Sequence, residues 1–117
     1  MNTASGPRHF AGEALRLRED TTGARFWSVA LRDTQLTYFE VAANCRFETH
    51  SHRSEQITLV LNGELFFETE TRTTRVAAGE VMAIPADVPH AVYTASLPAQ
   101  AVDAWSPVNE NYVFGQR

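Results

Sequence analysis

Residues 50–64 read HSHRSEQITLVLNGE, and this segment carries most of the information about the architecture. It opens with a His-x-His pair. Successive side chains of a strand alternate between faces, so His50 and His52 should point the same way. A second segment, residues 79–90, reads GEVMAIPADVPH and places His90 after a short strand and a tight corner. Three histidines that converge with an oxygen donor are typical of a site for a divalent ion.

The oxygen donor of this predicted site comes from one of two adjacent residues. Glu55 and Gln56 begin the apolar strand after the histidine pair, and neighbouring strand residues face opposite ways, so only one can be a ligand. Imidazole nitrogen with a side-chain oxygen suits one divalent transition metal: zinc, iron, nickel, cobalt, manganese or copper. The alternative is a metal-free pocket in which these side chains hydrogen-bond to one another. Converging histidines in a dry interior are costly without a partner, which favours the metal.

The two segments together form a specific motif pair. It consists of His-x-His-x-x-Glu-Gln, an apolar strand ending in Asn-Gly-Glu, and Gly-x5-Pro-x4-His. This pattern resembles the two motifs of the cupin superfamily, in its small single-domain branch, over about residues 34–106. The resemblance implies an all-β fold, a double-stranded β-helix or jelly-roll barrel. It also implies the metal ligands His50, His52, Gln56 and His90, with Glu55 as second choice for the oxygen.

The rest of the chain also indicates short strands. Runs such as Phe26–Leu31, Gln35–Val41 and Glu64–Glu70 are rich in aromatic and β-branched residues and are separated by turn-forming residues. Asn62-Gly63 predicts a hairpin turn. At 117 residues the chain is long enough for one domain with a core. We expect a flexible N-terminal tail over residues 1–12 and a single cupin barrel over residues 13–117.

Composition and charge narrow the class of partner. The ten basic residues are all arginine and the formal net charge is −4. No basic run is interleaved with aromatics, so no nucleic-acid partner is expected. No apolar run is long enough to span a bilayer, and the first residues lack the features of a secretion signal, so we expect no membrane association and a cytoplasmic location. Cys45 stands alone, which predicts neither an internal disulfide nor a Cys-x-x-Cys metal site.

Four further residues are candidates for substrate binding or catalysis. Simple strand alternation points Arg46 and Glu48 at the predicted cavity as substrate-binding residues. If a bulge shifts the register, they form a solvated ion pair instead. The segment around Asp103 resembles the C-terminal part of small cupins that convert unsaturated uronate sugars. This resemblance implies a catalytic role for Asp103 and a substrate-binding position at Asn109, where the family pattern has arginine.

These observations favour a metal-binding enzyme that carries out proton transfer: isomerisation, tautomerisation or cyclisation. The predicted substrate is a small molecule that chelates the metal through oxygen and is anionic or sugar-derived. A metal-dependent dioxygenase and a barrel that binds a small molecule without catalysis remain as alternatives. Ile57 and Leu59 are spare apolar residues on the outer face of their strand, and covering them favours a homodimer.

Overall fold

The computed structural model of the chain describes residues 6–20 and 22–113. These residues form ten strands and two short 3-10 turns, Gly12–Ala14 and Glu110–Tyr112. The strands are β1 (Arg18–Glu19), β2 (Arg25–Ala30), β3 (Gln35–Val41), β4 (Arg46–His50), β5 (Glu55–Asn62), β6 (Glu64–Glu68), β7 (Thr73–Ala77), β8 (Val81–Ile84), β9 (His90–Tyr93) and β10 (Ala99–Ser106).

The strands pair into two antiparallel sheets around one hydrophobic core. The larger sheet has the order β1-β2-β3-β10-β5-β8, and the smaller one has the order β4-β9-β6-β7. Phe39 and Val60 of the larger sheet share the core with Phe67 and Val92 of the smaller one. The predicted all-β jelly-roll architecture is therefore confirmed.

Alternation along two neighbouring strands turns a set of polar side chains inward. In β10, Ala101, Asp103 and Trp105 are buried, whereas Val102 and Ala104 are not. In β5, Gln56, Thr58 and Val60 are buried. Asp103 pairs with Thr58 in the register of these strands, and Trp105 pairs with Gln56. The larger sheet thus presents an amide, a hydroxyl and a carboxyl to the interior.

The prediction of a hairpin turn at Asn62-Gly63 is wrong. The two strands that flank it belong to different sheets, since β5 pairs with β10 and β8 while β6 pairs with β7 and β9. The chain turns a corner between the sheets at Gly63, where φ is 73°. A Cβ atom at Gly63 would collide with the backbone carbonyl oxygen of Pro98, so the corner requires glycine.

The N-terminal segment is described only from residue 6 onward. Residues 1–5 of the predicted tail over 1–12 lie outside the described residues, as do residues 114–117 at the other end. Within the described part of the tail, the guanidinium of Arg8 donates a hydrogen bond to the carbonyl oxygen of Ala30 over 3.0 Å. None of the helices in the described ranges has the length and hydropathy needed to cross a membrane.

Candidate metal centre

The three predicted histidines come together in the fold. The candidate ligand nitrogens of His50, His52 and His90 lie within 4.8 Å of one another. The ring centroid of His90 lies 4.5 Å from that of His50 and 5.0 Å from that of His52. His90 is buried, whereas His50 is exposed and His52 is half-buried, so the cluster runs from the interior to the surface.

A bulge in β4 aims the first histidine at the interior. Phe47 pairs with Val92 and His50 pairs with His90, so β4 advances by three positions between these pairs while β9 advances by two. The extra residue shifts the alternation, and both Phe47 and His50 line the interior cavity. His52 lies in the loop that follows β4 and reaches the cluster from there.

Backbone carbonyl groups fix which nitrogen of each ring carries the proton. Every Nδ1 atom of the cluster lies within hydrogen-bond distance of a carbonyl oxygen two residues away, with distances of 2.7 Å for His50–Glu48, 2.8 Å for His52–Ser54 and 2.8 Å for His90–Val88. A carbonyl oxygen can only accept, so each Nδ1 must donate. Each neutral ring then has its lone pair on Nε2, the atom that would bind a metal.

The innermost histidine shows most clearly that the cluster suits a cation. His90 is 1% exposed, and within the described ranges its Nε2 atom has no hydrogen-bond partner. Burial, together with the nearby His50 and His52, lowers the pKa of His90 below its ordinary value. The lowered pKa favours the neutral ring, and a metal ion in the cluster would give its buried Nε2 lone pair a partner.

Gln56 supplies the oxygen beside the histidines. Its side chain is buried, and its Oε1 atom lies 3.0 Å from Nε2 of His52. Two lone pairs at that distance repel each other unless a cation lies between them. Glu55, the alternative ligand, is exposed on the opposite face of β5. Three imidazoles and one amide oxygen thus form a donor set that fits a borderline divalent ion.

Asp103 is connected to this donor set through a buried hydroxyl. Thr58 Oγ1 donates to Asp103 Oδ1 over 2.5 Å and accepts from Gln56 Nε2 over 2.9 Å. Burial raises the pKa of Asp103 to about 7, although hydrogen bonds from Thr58 and Gln56 act in the opposite direction. A carboxyl group with a pKa near neutrality can either give or take a proton under physiological conditions.

Arg46 does not point toward the histidines, so the prediction from simple alternation is wrong for this residue. The bulge in β4 leaves Arg46 outside, where its guanidinium donates to Glu48 and Glu68 over 2.8 Å each and lies over the ring of Tyr93. The solvated ion pair is the arrangement observed. The Glu48 side chain is 81% exposed and borders the outer pocket beside His50.

Two cavities adjoin the histidines. The inner one has a volume of about 40 Å³ and is lined by His90, Asp103 and mainly aromatic and aliphatic side chains. The outer pocket has a volume of about 240 Å³ and opens beside His50 and His52. Phe47, His50 and Tyr112 border both cavities, so these side chains lie where the inner cavity and the outer pocket adjoin.

Asn109 lies at the outer pocket, in the segment that follows β10. Its side-chain oxygen accepts from the backbone N–H of Asn111 over 3.1 Å and caps the 3-10 turn. Its own backbone N–H donates to Oε1 of Gln35 over 2.6 Å. The side chain therefore caps the turn Glu110–Tyr112, and a role in substrate binding stays a prediction.

Sequence reasoning missed three residues that build the site. Thr58 links Gln56 to Asp103, although its position on an apolar strand resembles that of a packing residue. Trp105 packs its ring edge-on against His52 with centroids 5.2 Å apart. Tyr112 stacks on Trp105 at 5.8 Å but lies in a segment with no regular pattern. Only the alternation of β5 and β10 could have placed Thr58 and Trp105 inside.

The sequence-family model of the cupin domain matches residues 37–105, which is more than half of the chain. The protein belongs to the cupin family. The matched range includes every residue of the candidate donor set and Asp103. No curated protein matches the sequence significantly.

Solved structures share the architecture of this cupin. An RmlC-like cupin from Shewanella frigidimarina is 20% identical with a TM-score of 0.82, covering 92% of this chain and 97% of that one. KdgF from a Halomonas species is 18% identical with a TM-score of 0.81, covering 91% and 100%. The polyketide cyclase RemF from Streptomyces resistomycificus is 19% identical with a TM-score of 0.77, covering 88% and 81%. At these identities the likeness concerns the fold.

Proposed function

We propose that this cupin is a metal-dependent enzyme that transfers protons on a small substrate that chelates the ion through oxygen. The observation that carries the proposal is the position of Asp103, a buried carboxyl that lines the same cavity as His90 and is linked to the donor set through Thr58. Isomerisation, tautomerisation and cyclisation all require proton transfer next to a polarised carbonyl, and a solved cupin of the same fold is a polyketide cyclase.

His50, His52, Gln56 and His90 would hold the ion. A bound divalent ion acts as a Lewis acid toward a substrate oxygen and stabilises negative charge that develops there. As metal ligands, all four side chains would be neutral, so none of them would balance the positive charge of the ion. An anionic oxygen of the substrate is the group best suited to balance it.

Asp103 would hold and move the proton. Its pKa of about 7 lets the carboxyl take a proton from a carbon beside the polarised carbonyl and return it elsewhere on the substrate. The surrounding Leu65, Phe67 and Val92 are buried and apolar, so they keep water away from the carboxyl and preserve its raised pKa.

The charge of the cavity restricts the substrate. Neither cavity beside the histidines is lined by an arginine of the described ranges, and Arg46 is on the outer face. The ion would thus be the centre of positive charge for an anionic or sugar-derived substrate. Negative charge on the substrate should accordingly lie on the chelating oxygens, because a separate carboxylate, as in a uronate, would lack a fork of guanidinium donors.

Proton exchange gives a direct test. Zinc-loaded protein under argon should catalyse deuterium exchange from solvent into enolisable chelating substrates, as followed by NMR. Asp103→Asn should abolish exchange and still bind one metal ion, whereas Asp33→Asn, a change at an exposed carboxylate, should leave exchange unaltered. Oxygen consumption that requires a redox-active metal would instead indicate the dioxygenase. Tight ligand binding with no turnover in any metal form would indicate a binding protein.

We also propose that the outer face of the larger sheet forms a homodimer interface. Two rows of apolar side chains cross this face in register: Val29, Leu36, Ala104, Ile57 and Ala83 in one, and Trp27, Tyr38, Val102, Leu59 and Val81 in the other. Ile57 is 53% exposed and Val81 is 56% exposed. A patch of this kind on a sheet face is typical of an association site.

Light scattering after size exclusion tests the dimer. Wild type should have the mass of two chains, and Ile57→Glu should have the mass of one. Leu97→Glu places the same charge on an equally exposed leucine, 57% exposed, in the loop between β9 and β10, and should remain dimeric. A monomeric wild type would refute the interface.

A further inference from the structure

The amide of Gln56 lies between the histidine cluster and Asp103, and its two ends meet different chemistry. Its Oε1 atom lies 3.0 Å from Nε2 of His52, while its Nε2 atom donates to Thr58 Oγ1 over 2.9 Å. Only the oxygen end of an amide has a lone pair available for a metal ion. The orientation of this amide thus determines whether Gln56 can be a ligand.

The hydroxyl of Thr58 distinguishes the two orientations. It has a single proton, which is donated to Asp103 Oδ1, so it offers only a lone pair to Gln56 and must accept from the amide nitrogen. The reversed amide would place its oxygen against that lone pair. Thr58 is 1% exposed, and a buried clash between two acceptors is costly.

We propose that Thr58 is a positioning residue that holds the oxygen of Gln56 toward the metal site and thereby sets the affinity for the ion. This inference rests on the proposed metal centre. Thr58 would act on the ion only through Gln56, to which it is hydrogen-bonded. Outer hydrogen bonds that orient metal ligands typically contribute ~10–100-fold in metal affinity.

Replacing Gln56 by glutamate distinguishes an orienting role of Thr58 from a role in packing alone. A carboxylate has two equivalent oxygens, so its ability to bind metal does not depend on which oxygen faces the histidines. If Thr58 acts by orienting an amide, removing its hydroxyl should weaken metal binding with Gln56 present and have little effect with glutamate at that position. If Thr58 only fills space in β5, its replacement should act equally in both backgrounds.

The test measures zinc affinity by competition with a chromophoric chelator. Thr58→Val keeps the shape and removes the hydroxyl, and Thr58→Ser keeps the hydroxyl. With Gln56 present, we expect Thr58→Val to lose ~10-fold or more in affinity and Thr58→Ser to stay within ~3-fold of wild type. With Gln56→Glu, Thr58→Val should match Thr58→Ser. Thr58→Ala makes the same comparison if Thr58→Val does not fold.

Each outcome decides one of the two proposals. Two results would refute the positioning role and leave the metal centre standing, provided that wild type binds zinc. In the first, Thr58→Val binds zinc as tightly as wild type. In the second, Thr58→Val lowers the zinc affinity by the same factor whether residue 56 is glutamine or glutamate. If wild type and Gln56→Glu both fail to bind any transition metal, the metal centre itself is refuted, and the role of Thr58 fails with it.

Discussion

Replacing Asp103 by asparagine should change how the stability of the metal-free protein depends on pH. Asp103 is 7% exposed, and burial raises its pKa from the ordinary 3.8 to about 7. Asparagine has nearly the same shape, does not titrate, and keeps an oxygen that can accept from Thr58. The difference between the two proteins in free energy of unfolding therefore isolates the ionisation of this one carboxyl.

The sign follows from which state binds the proton more tightly. The folded state keeps the Asp103 proton up to a pH of about 7, whereas the unfolded chain releases it near 3.8. The stabilisation from the protonated carboxyl is thus complete below about pH 4 and is lost as the pH rises to about 7. A tenfold change in an ionisation equilibrium corresponds to about 1.4 kcal/mol, so the loss is on the order of 4 kcal/mol.

Urea unfolding in the presence of EDTA, followed by tryptophan fluorescence, measures this loss. From about pH 4 to about pH 8, wild type should lose on the order of 4 kcal/mol relative to Asp103→Asn. His90, whose pKa is lowered by burial, contributes stability that is lost as the pH falls, but it does so in both proteins and cancels. A difference that stays constant within ~0.5 kcal/mol over this range would show that the carboxyl is not desolvated.

Three further predictions concern the histidines and the corner between the sheets. His90→Ala should weaken zinc binding by more than ~100-fold, and His9→Ala, at an exposed histidine, should not, as measured by isothermal titration. Zinc at ~100 times its Kd should raise the free energy of unfolding of wild type by ~2.7 kcal/mol, and equal melting curves with and without zinc would contradict this. Gly63→Ala should destabilise the fold more than Gly79→Ala does. Both glycines have positive φ, but only at Gly63 would a Cβ atom collide with Pro98. Urea unfolding midpoints of the two variants give the comparison, and equal midpoints would refute the clash.

The clustering of the three histidines could be predicted from the sequence because metal ligands are recognisable by residue type and spacing. His50 and His52 are two residues apart, Glu55 and Gln56 are adjacent and therefore face opposite ways, and His90 follows a short strand and a tight corner. Alternation left only one of Glu55 and Gln56 able to face the histidines, and the resemblance to the cupin motifs favoured Gln56. These inferences need only local geometry, and the fold keeps local geometry along regular strands.

Two inferences failed where the chain departs from regular geometry. The β4 bulge adds one residue between Phe47 and His50, so Arg46 lies on the opposite face of the strand from His50. No residue type in this segment indicates the bulge. Asn62-Gly63 has the composition of a hairpin, but it forms a corner because β5 and β6 pair with different strands. Both features depend on long-range pairing, which a local pattern does not record.

The division of the site between the two sheets explains why its inner residues are polar. His50 and His90 belong to the smaller sheet, while Gln56, Thr58 and Asp103 belong to the larger one. A fold selected only for stability would place apolar side chains at three buried positions on adjacent strands, since burying an amide, a hydroxyl and a carboxyl is costly. The register offsets that cost by pairing Asp103 with Thr58. A slip of one residue would turn Asp103 outward and separate it from the histidines and Gln56, so the pairing of β5 with β10 determines how the buried carboxyl lies relative to the candidate metal ligands.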